Sequence, residues 1–451
     1  MPVRRKLALP LVLGLATCVT ALALAQTPAP PATQPPPAQP PSDITLVLQG
    51  NQRPLLRLAF PALDARGVSG AATASAGELE STLRADLLDS RIFQIQGPQE
   101  LAVLTLTGDA AKDNLLYQSL GNEVLLQGLF KTEGDKLVLE GRLVDLKSGQ
   151  TILGKRYRGE LNLARRMAHT FADEIVLYFT GRRGVALTTI SFTSDRDGSK
   201  EIYLMDADGQ GQRRITGHKS ISLSPAWRPQ GDSIAYVSFF GGAPGLYLVE
   251  LATGNKKPLV TDGGLNISPS WSPDGTQITF ARSVAGNSEI FVANADGGNL
   301  RRLTTSPGID TNPAWSPSGR EIAFTSSRSG NPHIYVMDAE GANVRRITFA
   351  GEYNDGASWR PDGTQIVYAS RRGNLFDIAA TDLVTLESRT IMSAAGSKES
   401  PSFSPDGRRI AFAWSQGGST QIYVMGADGT EPRRLTSQGN NSGPDWSAYP
   451  K

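Results

Sequence analysis

The chain has 451 residues, with 45 Lys and Arg against 43 Asp and Glu, 39% hydrophobic and 20% charged residues, and one cysteine, Cys18. That length exceeds one typical domain and leads to an expectation of two. The composition excludes a disordered or membrane-embedded chain, and the near balance of charge gives no overall attraction to nucleic acid or anionic lipid.

At the start, Arg4-Arg5-Lys6 precedes an apolar run, 7–25, that ends in Ala23-Leu24-Ala25. A basic head, an apolar middle and a small-x-small end predict a signal peptide over 1–25, which belongs to no fold. Cys18 follows Leu15-Ala16-Thr17, a weak likeness to a lipoprotein acylation site; cleavage after Ala25 is the better fit. Such a cut leaves no cysteine, and so no disulfide, thiol nucleophile or thiolate metal site. No later stretch is apolar for long enough to span a bilayer, so no membrane span is expected in the mature chain. Residues 26–42 are rich in proline and predict an extended, semi-rigid linker, with a partner-docking peptide as the other reading.

From 43 to 181 the pattern is mixed α/β. Strands are expected at 44–48 and 55–60. Ser75-Ala-Gly-Glu78 reads as a capping box opening a helix through 88. A strand at 91–95 and a short helix at 110–120 follow. Strands at 123–131, 136–146 and 151–158 are joined by turn-like Glu133-Gly-Asp and Lys147-Ser-Gly-Gln, so they should be antiparallel. Leu163, Met167, Phe171 and Ile175 form an i,i+4 stripe, which predicts a core-facing last helix ending near Gly181. Arg182-Arg183-Gly184 links this domain to the next.

The rest of the chain, 185–451, is periodic. Trp227-Arg-Pro-Gln-Gly, Trp271-Ser-Pro-Asp-Gly, Trp315-Ser-Pro-Ser-Gly, Trp359-Arg-Pro-Asp-Gly and Phe403-Ser-Pro-Asp-Gly recur every 44 residues, and Trp446-Ser-Ala-Tyr-Pro closes the series. Such a period marks a repeat architecture. The phrase suits a type I turn. After it come an Ile-x-aromatic pair (Ile278/Phe280, Ile322/Phe324), a second strand (Ile290-Phe-Val, Ile334-Tyr-Val) and a Gly-containing turn. A further strand, often headed by Arg-Arg, ends the unit. Four strands to a unit and six units predict a six-bladed β-propeller. The first unit lacks its Trp phrase and the end carries a surplus one, so the last strand should complete the first blade and remove an open edge.

Little here carries chemistry. His169, His218 and His333 have no metal-ligand spacing and read as surface or packing residues. There is no Gly-x-Ser-x-Gly and no phosphate-binding loop. Asp195-Arg-Asp-Gly and Asp206-Ala-Asp-Gly lack calcium-loop spacing and read as turns. Arg213-Arg214, Arg301-Arg302, Arg345-Arg346 and Arg433-Arg434 fall on the outer strand, where charge blunts edge pairing; a nucleic-acid rim is the lesser reading. The loops before each Trp phrase vary most, and should ring one mouth of the central channel as a recognition surface.

The export signal, the α/β domain, the six Trp-Ser-Pro-Asp-Gly-type repeats and the Trp-Ser-x-Tyr ending together resemble the TolB family, periplasmic components of the Tol–Pal system of the Gram-negative envelope. The resemblance implies a periplasmic, non-catalytic adaptor without a cofactor. Its propeller would bind a Pal-like peptidoglycan-associated lipoprotein, and its N-terminus a TolA-like inner-membrane protein. Such an adaptor supports outer-membrane integrity and constriction at division, and is exploited in colicin import. Carried over by motif, the Pal-facing positions are Leu265, Asn266 and Ser268 before Trp271, and Asp310, Thr311 and Asn312 before Trp315; Asn354, Asp355 and Glu399 are their neighbours. The proline-rich 26–42 stands where relatives begin close to their first strand, so no residue is assigned to the TolA contact. A secreted ligand- or glycan-binding propeller is the alternative, and a propeller lyase or hydrolase a further one.

Overall fold

The computed structural model describes residues 55–284 and 286–450. The expected signal peptide, proline-rich linker and strand at 44–48 lie outside the described residues.

The first part is a mixed sheet flanked by helices. Its strands are β1 (Leu56–Ala59), β2 (Asp64–Gly67), β3 (Phe93–Gln96), β4 (Val124–Glu133), β5 (Lys136–Asp145) and β6 (Thr151–Glu160), in the order β3-β1-β4-β5-β6, with β2 on β4. β1 pairs in parallel with β3 and β4, whereas β4, β5 and β6 form the expected antiparallel run. The helices are α1 (Ala71–Asp89), α2 (Pro98–Leu101), α3 (Ala110–Ser119) and α4 (Ala164–Thr180). Alternation along the strands decides which helices cover which face. Leu58, Leu126, Leu139 and Phe130 pack with Leu79, Leu83 and Phe171 of α1 and α4. Ala59, Leu125 and Val144 pack on the other face with Leu101 and Tyr117. At Gly141 of β5 a Cβ would lie 2.4 Å from the Phe171 ring, so only glycine lets α4 approach this closely.

Three sequence expectations are corrected here. α1 begins at Ala71, so Ser75 sits inside the helix and not at its cap; the alanine-rich 71–76 has the propensity to extend it by a turn. The third strand starts at Phe93, because Arg91 takes a left-handed φ of 58°. Leu163 falls in a 3₁₀ turn before α4 and is 41% exposed, so the core stripe is Met167, Phe171 and Ile175 alone. Gly181, with φ 70°, ends α4 as expected.

Six four-stranded sheets follow. The inner strands are Ser222–Trp227, Asn266–Trp271, Asp310–Trp315, Asn354–Trp359 and Ser397–Phe403 for blades 2 to 6. Blade 1 pairs Thr189–Ser194, Glu201–Asp206 and Arg213–Arg214 with Asn441–Trp446 from the far end, so the ring closes as the register of the repeats requires. Between blades lie apolar clusters in which the Trp and the Ile-x-aromatic strand of one blade meet the second and third strands of the blade before it, as with Trp315, Ile322 and Phe324 against Ala281, Ile290 and Val292. Burying each such indole is worth about 3–5 kcal/mol against alanine. The backbone N–H groups of Trp315, Phe403 and Trp446 donate to Ser270, Ser358 and Ser402 of the preceding inner strand, at 3.4, 3.2 and 3.0 Å. Among the described residues no helix is long and apolar enough to cross a membrane.

Candidate functional site at the channel mouth

The variable segments are not loops: they are the inner strands themselves. Each strand slips register by a bulge just before its Trp, between Leu223 and Ala226, Ile267 and Ser270, Thr311 and Ala314, Asp355 and Ser358, Glu399 and Ser402, and Ser442 and Asp445. The bulged residue is left-handed in every blade: Ser224, Ser268, Asn312, Gly356, Ser400 and Gly443, with φ between 48° and 67°. All six line one central channel of about 790 Å³.

Polar groups are linked around this wall. Ser268 Oγ donates to Asn312 Oδ1 at 2.5 Å, and Asn312 Nδ2 donates to Asp355 Oδ1 at 2.7 Å. Asp355 also accepts from Thr325 Oγ1 at 2.7 Å and the Gly356 N–H at 2.8 Å, so one hydrogen-bonded chain spans three blades. Partial desolvation, then the Asp355 charge, push the Glu399 carboxyl above its ordinary range. Tyr353 and Phe376 meet edge to face at 5.5 Å on the same wall. One position ahead of the inner strands of blades 2 to 4 stand Ile221, Leu265 and Ile309, which are 44%, 37% and 57% exposed, and Tyr353 holds the equivalent place in blade 5. The mouth therefore combines an apolar arc with a polar ring.

The residue five before each Trp has a different task. Ser222, Asn266, Asp310, Asn354, Lys398 and Asn441 occupy this place, and none has exposed surface. Asn266 Nδ2 donates to the carbonyls of Asp262 and Gly264 at 3.1 and 3.2 Å, holding its own entry loop. Asp310 pairs with Arg328 at 2.8 Å, and burial raises its carboxyl pKa. Asn354 lies 3.0 Å from His333 Nδ1, Lys398 Nζ 3.1 Å from Asp377, and Asn441 Nδ2 2.8 Å from Gln421 Oε1, each partner belonging to the preceding blade. These are buckles. Asn266, Asp310 and Asn354, expected to face a partner, are removed from it by burial. Of the expected site residues the structure gathers Ser268, Asn312, Asp355 and Glu399 on the channel wall, sets Leu265 on the exposed arc and leaves Thr311 half-buried. Ile221, Ile309, Tyr353 and Phe376 were missed, although the first three share the 44-residue register of Leu265.

Deeper in the channel, Asp445 Oδ2 accepts the Trp227 N–H at 2.7 Å. Burial pushes its carboxyl up to about 7, against the hydrogen bonds from Trp227 and Ser402. The histidines lie elsewhere. His169 is buried on Asp86 at 2.7 Å, His333 is the buckle partner, and His218 sits 3.0 Å from the Tyr236 hydroxyl among aromatic rings. Among the described residues no group of three or more His, Cys, Asp or Glu is arranged to hold a metal. The arginine pairs occupy two-residue outer strands, several already engaged: Arg302 with Glu289 at 2.6 Å, Arg345 with Glu321 at 2.7 Å.

A closed six-bladed ring with a rigid, mixed apolar and polar mouth defines a propeller suited to recognition by surface contact. Residues 177–450 match the family described as the TolB beta propeller domain, and the chain belongs to that family. It is similar to the Tol-Pal system protein TolB of Syntrophotalea carbinolica, 38% identical over 169 residues, which are 36% of this chain and 38% of the relative. It is also similar to the Tol-Pal system protein TolB of Anaeromyxobacter dehalogenans, 34% identical over 226 residues, 50% of each. The chain thus spans between 38% and half of the length of these curated relatives. The crystal structure of TolB from Acinetobacter baumannii superposes with a TM-score of 0.76 at 27% identity, covering 88% of this chain and 98% of that one.

Proposed function

We propose that the protein is a non-catalytic periplasmic adaptor of the Tol–Pal system. It binds a Pal-like lipoprotein at the channel mouth and a TolA-like inner-membrane protein through its N-terminal segment, and so supports envelope integrity and division. Family membership supports this reading, as do the relatives named for the Tol-Pal system. The observation that carries it is the mouth: Ile221, Leu265 and Ile309 stand exposed one residue before successive inner strands, two of which carry Ser268 and Asn312 of the Ser268–Asn312–Asp355 chain. Exposed apolar side chains framed by fixed polar groups suit a protein partner burying about 800 Å² per side.

The test is recovery of envelope lipoproteins after crosslinking, with wild type and the double variant Leu265→Asp, Ile309→Asp. Both side chains are exposed, so the change alters the rim without opening the core, whereas Asp310→Ala would break a buried ion pair. The wild type is expected to recover a peptidoglycan-associated lipoprotein, and the variant to recover at least about tenfold less, since charges in an apolar contact cost more than 1.4 kcal/mol. Equal recovery moves the site away from the mouth. A wild type that recovers no such lipoprotein removes the Tol–Pal role.

A further inference from the structure

We infer that the α/β layer is a clasp across the seam where the propeller ring closes. Every other blade is made from consecutive strands; blade 1 joins Thr189–Ser194 to Asn441–Trp446, far apart in the chain. Strand pairing over such a loop carries the largest closure entropy in the ring, so the seam is where the ring opens most readily.

The α/β layer reaches both sides of that seam. At the end of α1, Asp89 takes Arg433 Nη2 at 2.5 Å and faces Arg409 at 3.8 Å, both in blade 6. Arg91, two residues on, pairs with Asp428 at 3.1 Å and Glu431 at 2.7 Å in the outer turn of the same blade. From α4, Arg165 pairs with Asp208 at 2.7 Å and Asp206 at 3.5 Å in blade 1. Arg433 Nη1 meanwhile donates to the Asp208 carbonyl at 3.1 Å, so one guanidinium joins blade 6, blade 1 and α1. Just past the closing strand, the Tyr449 hydroxyl donates to the Arg183 carbonyl at 3.0 Å, fixing its end to the connector. That connector is held by Asp173 of α4, which accepts the N–H groups of Ala186 and Leu187 at 2.9 and 3.1 Å.

An ordinary contact between blades lacks this clasp. Between blades 3 and 4, Arg301 donates to the Glu340 carbonyl at 3.3 Å, the equivalent of Arg433 on Asp208, and there is no α1 carboxylate to hold it. Isolated exposed ion pairs contribute little. Here several are joined, partly desolvated and anchored on two helices, so they act on the seam as a unit.

Hydrogen exchange by mass spectrometry on the full mature chain tests this, with two variants on the α/β side alone: Asp89→Asn, which keeps its shape, and Arg165→Gln, which releases blade 1. Arg301→Ala is the control. Both α/β variants are expected to speed exchange about tenfold in 441–446 and 189–194, leaving the inner strands of blades 3 and 4 unchanged. Arg301→Ala should change only blades 3 and 4. No acceleration at the seam, or equal acceleration in all six blades, overturns the clasp.

Discussion

At the scale of single residues, one position decides how the mouth is read. The place five before each Trp is always polar, and from sequence Asn266, Asp310 and Asn354 look like solvated loop chemistry. Their burial follows from partners that no local pattern displays: the entry loop for Asn266, Arg328 later in the same blade for Asp310, and the preceding blade for Asn354. The signal that was present is subtler. The third-strand residue changes with its buckle, His333 for Asn354, Asp377 for Lys398 and Gln421 for Asn441, so each pair stays complementary. Asp310→Ala should strip Arg328 of its buried partner and cost about 3 kcal/mol in urea unfolding. Thr311→Ala, half-buried and next in sequence, should stay within about 0.5 kcal/mol. Equal small losses would return Asp310 to the recognition surface.

At the scale of elements, most of the fold was legible because the repeat writes it six times. The Trp phrase, the Ile-x-aromatic strand and the glycine turns each follow from pattern and turn chemistry alone, and the surplus Trp446 gave the closure. What stayed hidden is where helices and strands begin. The alanine-rich 71–76 opens the helix without a side-chain cap, so Ser75 was the best visible start, and the left-handed Arg91 pairs with Asp428 and Glu431 of blade 6. The bulge ring was hidden too, since Ser, Asn and Gly tolerate positive φ without announcing it. Its strain is testable. Gly356→Val forces a β-branched residue to φ 67° and should cost about 2 kcal/mol by thermal or chemical unfolding. Ser400→Gly relieves strain at φ 53° while adding unfolded-state freedom, so it should stay within about 1 kcal/mol.

At the scale of the whole molecule, partly buried carboxyls set the response to pH. Asp173 is pushed up to about 6 by burial, against the Ala186 and Leu187 N–H groups, and Asp445 to about 7. Both hold a proton more tightly folded than unfolded. Their contribution is complete below the ordinary carboxyl value and fades as pH rises through 6 and 7. His169 acts in the same direction: burial opposes its charged form, but the bond to Asp86 more than offsets this and raises it. Asp208, whose burial is outweighed by Arg165, and Asp377, whose burial is outweighed by Arg372, lie low; their contributions fail only in acid below about pH 4. Between pH 5 and 8 burial lowers His218 and His333, which favour the fold more as pH rises. The larger upward shifts of Asp173 and Asp445 outweigh them, and the melting temperature should fall as pH rises. Asp445→Asn keeps an acceptor for the Trp227 N–H and should recover about 2 kcal/mol at pH 8, flattening the slope. A slope as steep as wild type would mean that Asp445 ionises freely in the channel.

Ring closure also fixes an order of events. As the chain emerges N-terminus first, the three strands at 189–214 appear first among the blades, yet their sheet stays unfinished until 441–446 arrives. Blades 2 to 6 can each assemble as their own strands emerge, while the earliest strands wait with one edge open. The first blade begun is the last completed, and a chain cut short anywhere before 441 carries an unpaired edge on Thr189–Ser194 that a chaperone or protease can recognise.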